Sequence, residues 1–258
     1  MLRANHGTFA SSRTRGWTVK TPEYTGFSTA FSPRRPQVNP TGTKMLVLAT
    51  NGPISTFNFG TPWKISTLTD GSDTFDIPLT TYDGMFVDQS GTHLYILSIN
   101  DKVLQYDLGT PWSPSTATYV NEHTTTPDDF ERGIFFSPDG LNMYIGIVAS
   151  LGKIKQYTLS VAWDITTIAY ESESPTFEYG NNDLYFQPDG RKAFRIHYSG
   201  TASLNGWAEY HLSTPWDIST ATYELFGSTG DVTGTNTLNG TFAGTGKYFY
   251  SSKWQFAI

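Results

Sequence analysis

A repeat of about 50 residues is the feature that most constrains how this chain can fold. The glycines of five predicted turns recur at intervals of 49, 49, 50 and 56 residues, at Gly42, Gly91, Gly140, Gly190 and Gly246. Four tryptophans keep nearly the same period, at Trp63, Trp112, Trp163 and Trp216. Such a period predicts a series of similar supersecondary units that share one continuous core.

Each repeat predicts four short strands. In the third copy, residues 133–136 lead into the turn Ser137-Pro138-Asp139-Gly140, where proline fixes φ and glycine accepts a positive φ. Residues 143–147 form the second strand of this copy. In the second copy, residues 103–108 alternate as a third strand and residues 117–120 follow the tryptophan as a fourth. Four strands per repeat indicate a propeller blade, and no helical period is present.

The fifth repeat is divided between the two ends of the chain. Residues 246–258 contain its first part and stop where the tryptophan segment is expected. Residues 17–24 supply that segment, because Thr21 and Tyr24 follow Trp17 at the spacings of the complete copies. The sequence therefore predicts an all-β, five-bladed β-propeller with four antiparallel strands per blade. An N-terminal strand would complete the C-terminal blade and close the ring.

The same spacing predicts the domain organisation. Residues 17–258 form a single propeller domain, with blade segments at about 25–70, 71–120, 121–171, 172–224, and 225–258 plus 17–24. Residues 1–16 form an N-terminal extension that contains Arg3, Arg13 and Arg15. This extension would either be disordered or act as an arm that docks on a neighbour.

Composition excludes several classes of function. The 258 residues include no cysteine, which removes disulfides, thiolate metal sites and thiol nucleophiles. The 17 basic and 23 acidic residues are interspersed, and without a basic stripe we expect no nucleic-acid partner. No window approaches 18 apolar residues, so we expect no membrane insertion. The N-terminus also lacks the apolar run of a Sec signal peptide, which predicts synthesis in the cytoplasm without one.

The repeat resembles known propeller sequences. Its elements are Phe-Ser-Pro-Asp-Gly-x-x-Met-Tyr-Ile at residues 136–145, Gln-Tyr-x-Leu-Ser at 156–160, and Trp-Asp-Ile-Ser-Thr-Ala-x-Tyr at 216–223. They are similar to the YVTN/lactonase-like repeats, which occur in virion and tail-associated proteins of bacterial, especially marine, viruses and in bacterial surface proteins. The resemblance covers residues 17–258. It implies a location on a virion or an extracellular surface, and contacts with other structural proteins or with cell-surface glycans.

One candidate ligand site is a ring of tryptophans, one in each blade. Its members are Trp17, Trp63, Trp112, Trp163 and Trp216. Five equivalent indoles would stack on sugar rings, and the repetition would add avidity to weak sites. The alternative is that each tryptophan packs between neighbouring blades or covers the last hairpin.

A second repeated set consists of the polar residues that directly precede the third-strand aromatic residues. Its amides would form a ring that binds a ligand. The alternative is that these side chains face outward or contact a neighbouring blade. The set comprises Thr56, Gln105, Gln156, Glu209 and Gln255.

The other candidate site lies where the innermost strands begin. Eight residues before each turn glycine lie Arg34, Asp83, Arg132, Asn182 and Leu238, and seven before it lie Arg35, Gly84, Gly133, Asp183 and Asn239. These positions vary between blades, and a specific site at the channel requires such variation. Arg34, Asp83, Arg132 and Asp183 are the ligand-binding candidates chosen from them. The alternative is that they are solvated channel charges or salt-bridge partners.

No catalytic motif accompanies these candidates. The five histidines are scattered, and the sequence contains no Gly-x-Ser-x-Gly elbow, Walker loop or calcium loop. We therefore predict a non-enzymatic structural or binding module without cofactor, metal site or catalytic residues, most consistent with a virion- or tail-associated propeller. The alternatives are a lectin-like carbohydrate-binding propeller, and a hydrolase or lyase with one site at the central channel.

Overall fold

The computed structural model of the chain describes residues 33–49, 52–78, 82–98, 101–125, 131–147, 152–176, 183–197, 206–228, 240–243, 248–251 and 255–257. These residues form antiparallel sheets of short strands joined in a propeller arrangement. Four sheets have four strands each, and a fifth has three. The prediction of an all-β propeller with four antiparallel strands per blade is confirmed.

The four complete blades follow one another along the chain. Blade 1 contains β1 (Pro33–Val38), β2 (Lys44–Ala49), β3 (Ile54–Phe59) and β4 (Leu68–Phe75). Blade 2 contains β5 (Tyr82–Val87), β6 (His93–Ser98), β7 (Lys102–Leu108) and β8 (Ala117–Thr124). Blade 3 contains β9 (Glu131–Phe136), β10 (Asn142–Ile147), β11 (Lys153–Leu159) and β12 (Ile168–Glu173). Blade 4 contains β13 (Asp183–Phe186), β14 (Lys192–His197), β15 (Gly206–Leu212) and β16 (Ala221–Ser228).

The remaining sheet has three described strands. They are β17 (Gly240–Ala243), β18 (Tyr248–Ser251) and β19 (Gln255–Ala257). The strand predicted to complete this sheet, at residues 17–24, lies outside the described residues. The described part of the chain thus forms four complete blades and one three-stranded sheet, where the sequence predicted five complete blades.

The first strand of every sheet lies on the inner side of the arrangement. Within each sheet the strands pair in chain order, so the first and last strands form the two edges. The first strands contact one another from sheet to sheet: β5 contacts β1 and β9, β13 contacts β9 and β17, and β17 also contacts β1. The beginnings of these strands are therefore the part of the fold where side chains from different blades meet.

The core lies between blades, which explains why the second strands of blades 1 to 3 are apolar at almost every position. In β6, Leu94 and Ile96 face blade 1 and pack with Leu46. The alternate residues Tyr95 and Leu97 face blade 3. A strand that is buried on both faces has no solvent side, so the usual alternation of polar and apolar residues disappears.

A tight turn follows the tryptophan in each complete blade. These are the 3₁₀ turns Ile65–Thr67, Pro114–Thr116, Ile165–Thr167 and Ile218–Thr220. In blade 3 the carboxylate of Asp164 accepts a hydrogen bond from the backbone N–H of Thr166 at 2.9 Å, and Asp217 does the same for Ser219 at 3.1 Å. This is the Asx-type turn that the Trp-Asp pair predicts. No helix among the described residues is long and apolar enough to cross a membrane.

Candidate functional site

Charged side chains from four blades meet where the inner strands begin. The Arg35 guanidinium in blade 1 contacts Asp83 in blade 2, with Nη2 3.0 Å from Oδ1 and Nε donating to the backbone carbonyl at 2.7 Å. Its Nη1 lies 2.7 Å from Oδ1 of Asp183 in blade 4. Arg132 in blade 3 contacts the other oxygen of Asp83, with Nε 2.7 Å from Oδ2. We call Arg35, Asp83, Arg132 and Asp183 the inner-strand ion network.

A backbone irregularity directs Arg35 into this network. The pairing of β1 with β2 shifts register between Arg34 and Gln37, so Arg35 lies in a β-bulge. Its φ is +48°, in the left-handed region that is costly for a side chain with a β-carbon. The equivalent position in blade 3 is Gly133, with a φ of +71° and a bulge of the same kind. Blade 1 therefore places a long cation where blades 2 and 3 have glycine.

The inner-strand ion network is balanced in charge and largely buried. Its two arginines and two aspartates sum to zero, and Arg35 is only 2% exposed. Arg132 is the more accessible arginine, with 30% of its side chain exposed. Removing one partner of such a buried pair leaves an uncompensated charge and typically costs about 3–5 kcal/mol. The network thus joins the inner strands of blades 1 to 4.

A fully buried carboxylate lies beside the network. Glu131 precedes Arg132 on β9 and is 0% exposed. The Thr125 hydroxyl lies 2.8 Å from each of its carboxylate oxygens. The hydroxyl of Thr125 also lies 3.1 Å from the backbone carbonyl of Asp101, between β6 and β7. Glu131 therefore belongs to the packing between the ends of β8 and β9.

Three of the four network members, Asp83, Arg132 and Asp183, were ligand-binding candidates. Asp83 and Arg132 lie eight residues before their turn glycines, and Asp183 lies seven before its own. The structure brings them together as salt-bridge partners, and ligand binding by them stays a prediction. Arg34 was the fourth candidate, but the residue in the network is its neighbour Arg35, and the side chain of Arg34 lies outside the described part of the structure. Arg35 lies seven residues before Gly42, the repeat position that Asp183 occupies in blade 4. A left-handed arginine leaves no recognisable pattern in a sequence.

The tryptophans have a packing role inside each blade. Trp63, Trp112, Trp163 and Trp216 all adopt a left-handed backbone, with φ between +58° and +67°. Each backbone N–H donates to the carbonyl of the turn glycine of the same blade at 2.9–3.0 Å. Each indole covers that glycine so closely that an added β-carbon would lie 2.1–2.5 Å from the ring. The turn glycine is thus required by both its positive φ and the indole above it.

The tryptophans also connect neighbouring blades. The Tyr95 hydroxyl of blade 2 donates to the Trp163 carbonyl of blade 3 at 2.6 Å, and Tyr144 donates to the Trp216 carbonyl in the same way. The Trp163 ring stacks on His93 of blade 2 with 5.6 Å between centroids. These contacts match the packing alternative weighed for the tryptophan ring. Ligand binding at Trp63, Trp112, Trp163 and Trp216 stays a prediction, and Trp17 lies outside the described residues.

The glutamines that precede the third-strand tyrosines also act between blades. Gln105 of blade 2 accepts a hydrogen bond from the Ile165 backbone of blade 3 at 3.3 Å. Gln156 of blade 3 accepts one from the Ile218 backbone of blade 4 at 2.9 Å. Because both amides meet a neighbouring blade, their repetition has a structural cause. Among the residues that the structure describes, no group of three or more histidine, aspartate or glutamate side chains is placed to hold a metal ion.

Comparison with known proteins shows the fold and leaves the function open. A putative 6-phosphogluconolactonase from Bacteroides uniformis ATCC 8492 has a TM-score of 0.51 and 18% sequence identity, covering 84% of this chain and 62% of its own. Hydrazine synthase of Kuenenia stuttgartiensis has a TM-score of 0.52 and 15% identity, and the match covers 87% of this chain and 56% of the synthase chain. A putative 6-phosphogluconolactonase from Bacteroides fragilis NCTC 9343 has a TM-score of 0.50 and 14% identity, covering 84% and 61%.

These similarities are of the propeller architecture alone, because all three identities are below 20%. The chain spans less than two thirds of the length of each of these three proteins. No protein-family model matches the sequence, and no curated protein matches it. The chain is therefore a β-propeller that resembles solved enzymes in fold, while its own residues must indicate its role.

Proposed function

We propose that this chain is a non-enzymatic structural or binding module. The observation that supports the proposal is the position of Asp83, whose two carboxylate oxygens contact two different guanidinium groups. A general acid or base must reach the proton that it transfers. A carboxylate held on both oxygens by arginines is instead suited to joining strands. Hydrolase or lyase chemistry at the channel stays an alternative prediction.

The narrower proposal is that the module belongs to a bacterial virus particle. It rests on the resemblance of the repeat at residues 136–145 and 216–223 to virion-associated propellers. The test is to purify the particles made by cells that express the intact chain together with its genomic neighbours, and to identify their proteins by mass spectrometry. We expect the chain in the particles at a fixed ratio to the major structural protein. Particles that lack it would contradict the viral role without affecting the non-enzymatic one.

The enzymatic alternative has a separate test on the intact chain. Hydrolysis of lactones and glycosides would be measured for the natural sequence and for Asp83→Asn. We expect no activity above that of buffer in either protein. A catalytic rate that the natural chain shows and Asp83→Asn loses, with both proteins folded, would overturn the non-enzymatic proposal.

We also propose that the propeller has five blades and is closed by residues 17–24. The contacts of β17 with both β1 and β13 support this proposal, because they place the three-stranded sheet between the first and fourth blades. The spacing of Thr21 and Tyr24 after Trp17 supports it independently. Closure would cover the outer edge of β19, which otherwise exposes unpaired backbone groups.

A further inference from the structure

The outer strands carry exposed tyrosines at equivalent positions. Tyr119, Tyr170 and Tyr223 lie seven residues after the tryptophans of blades 2, 3 and 4, and they are 52%, 49% and 58% exposed. They belong to β8, β12 and β16, the last strands of their sheets. Single exposed aromatic residues are common, but three in the same repeat position indicate a repeated surface. We call the exposed faces of β4, β8, β12 and β16 the outer-strand surface.

The exposed rings are fixed in orientation by the blade beneath them. Each makes an edge-to-face contact with a buried tyrosine of the adjacent third strand, with centroids 5.7–5.8 Å apart. The buried partners are Tyr106, Tyr157 and Tyr210, each 2% exposed. A ring already held in place loses little conformational entropy when a partner stacks on it. The outer-strand surface thus offers preorganised aromatic contacts.

The outer-strand surface is acidic as well as aromatic. Six carboxylates and no lysine or arginine occur in the four outer strands, at Asp70, Asp73, Glu122, Glu171, Glu173 and Glu224. Each strand has one exposed carboxylate, and in blades 3 and 4 it directly follows the tyrosine. The Lys102–Glu122 pair, at 2.6 Å, has both side chains at least 40% exposed, so water and salt screen it strongly.

Arginine is the side chain that matches both features. Its guanidinium stacks on tyrosine faces and pairs with carboxylates in the same contact. The first 16 residues of the chain contain Arg3, Arg13 and Arg15 and no acidic residue. The charge and chemistry of this segment complement those of the outer-strand surface.

We propose that residues 1–16 of one copy of the chain dock on the outer-strand surface of a second copy. A single chain has one such segment but three equivalent tyrosines, so the segments of other copies are the natural occupants. The arginines would stack on Tyr119, Tyr170 or Tyr223 and pair with the neighbouring carboxylates. Docking of this kind would join propellers side by side. The inference goes beyond the assembly role proposed above, and either can fail without the other.

Self-association of the intact chain tests the proposal. Sedimentation velocity would be measured over a concentration series at low and high salt. We expect the natural chain to associate at low salt and to dissociate as the salt concentration rises, because exposed ion pairs are screened. The variant R3Q/R13Q/R15Q and the variant Y119S/Y170S/Y223S should each weaken association at least tenfold. The matched controls are Arg191→Gln and Val161→Ser. Both residues are exposed, and both lie outside residues 1–16 and outside the outer-strand surface, so these variants should associate as strongly as the natural chain.

Cross-linking identifies the contact itself, since the chain has no native cysteine. A chain with Thr14→Cys would be mixed with a differently tagged chain with Thr222→Cys, which is exposed beside Tyr223. Oxidation should yield a disulfide-linked dimer of the two chains. When the second chain carries Val161→Cys instead of Thr222→Cys, this dimer should not form. A natural chain that stays monomeric at every concentration would overturn the proposal, as would association that survives both triple variants in folded protein. Binding of glycans by the tyrosines without self-association would identify a different partner and also overturn it.

Discussion

At the scale of single residues, two left-handed positions organise the fold, and both lie outside what a sequence pattern reveals. The tryptophan of each blade takes a positive φ that allows its N–H to reach the turn glycine. Arg35 takes a positive φ that directs its guanidinium to two other blades. Left-handed residues other than glycine, asparagine and aspartate are uncommon. The repeat therefore predicted the importance of these positions without their conformation.

Removing Arg35 tests whether the inner-strand ion network is structural. Arg35→Gly relieves the backbone strain but leaves Asp183 without this buried partner. We expect a loss of about 3–5 kcal/mol in the free energy of unfolding, measured by urea denaturation. Arg132→Gln should cost less, because Arg132 is partly exposed. Equal or greater stability for Arg35→Gly would show that strain outweighs the ion pairs. Adding Asp183→Asn to Arg35→Gly should recover part of the loss, because it removes the carboxylate charge that Arg35 balances in the natural chain.

His93 gives the interface between blades 2 and 3 a defined dependence on pH. Its Nδ1 lies 3.5 Å from the Asp88 carboxylate, and this interaction raises the pKa of His93 above 6.5 despite partial burial. Burial opposes ionisation of Asp88, but hydrogen bonds from His93 and Ser90 outweigh it and lower the pKa of Asp88 to about 2. The folded protein therefore binds the histidine proton more tightly than the unfolded chain does.

The sign of the His93 effect follows from linkage. Its contribution to stability is fully present below the unfolded pKa of about 6.5 and is lost as the pH rises through the higher folded value. We expect NMR titration to give a His93 pKa above 6.5 in the natural chain and a lower one in Asp88→Asn. His93→Gln should flatten the change in unfolding free energy with pH in this range. An identical pH profile in His93→Gln would exclude His93 as its source.

At the scale of elements, one pair of hydrogen bonds recurs between neighbouring complete blades, and of the three interfaces between those blades the first lacks it. Between blades 2 and 3, and between blades 3 and 4, a tyrosine hydroxyl donates to the carbonyl of the next tryptophan, and a glutamine carbonyl accepts from a backbone N–H in the turn that follows it. Between blades 1 and 2 the corresponding residues are Leu46, Thr56 and Pro114, and Pro114 has no N–H to donate. Here Asp73 contacts the Ser113 hydroxyl at 2.6 Å and the Ser115 N–H at 2.9 Å.

Restoring the missing pair should strengthen the first interface. Thr56 is buried with an unpartnered hydroxyl, and β3 contacts the turn that contains Pro114. We expect Thr56→Gln alone to destabilise the protein, because the new glutamine carbonyl finds no donor at Pro114. In the double variant with Pro114→Ile, the isoleucine N–H supplies that donor. Its free energy of unfolding should be about 1 kcal/mol higher than the sum of the two single changes predicts. Thermal unfolding of all four proteins measures this coupling. Additive effects would show that the two positions do not interact.

At the scale of the whole molecule, the sequence predicted the architecture well because each repeat carries its own turn and core signals. The turn sequence Ser-Pro-Asp-Gly and the apolar strand that follows it placed β9 and β10 nearly at their observed ends. The outer strands run further than predicted, because β8 continues to Thr124 through polar residues that no apolar pattern marks. The inner-strand ion network could not be predicted from the sequence, because it forms only when the blades are assembled and its members are up to 148 residues apart, from Arg35 to Asp183.

Closure of the ring by the N-terminal strand predicts different effects of two deletions. Removing residues 1–16 should leave the melting temperature of the propeller unchanged, whereas removing residues 1–24 should lower it by several degrees, because the last blade would lose its outer strand. The double variant Trp17→Ala/Tyr24→Ala in the full chain should also lower it. Calorimetry measures each change. Equal melting temperatures for the two deletions would contradict closure by residues 17–24.

The tyrosine contacts that recur between the complete blades run in one direction along the chain, and this has a consequence for engineering. Tyr95 and Tyr144 reach forward to the tryptophan carbonyl of the following blade, while the hydrogen bond from each tryptophan N–H to its turn glycine stays within one complete blade. One face of such a blade donates a tyrosine hydroxyl, and the opposite face accepts one at its tryptophan carbonyl. Because these two faces are the same wherever the blade lies in the chain, one blade can in principle be exchanged for another. A circular permutant opened between blades 1 and 2 would interrupt the interface that lacks the recurring hydrogen bonds. That position is accordingly the best site at which to insert a reporter domain or an additional blade.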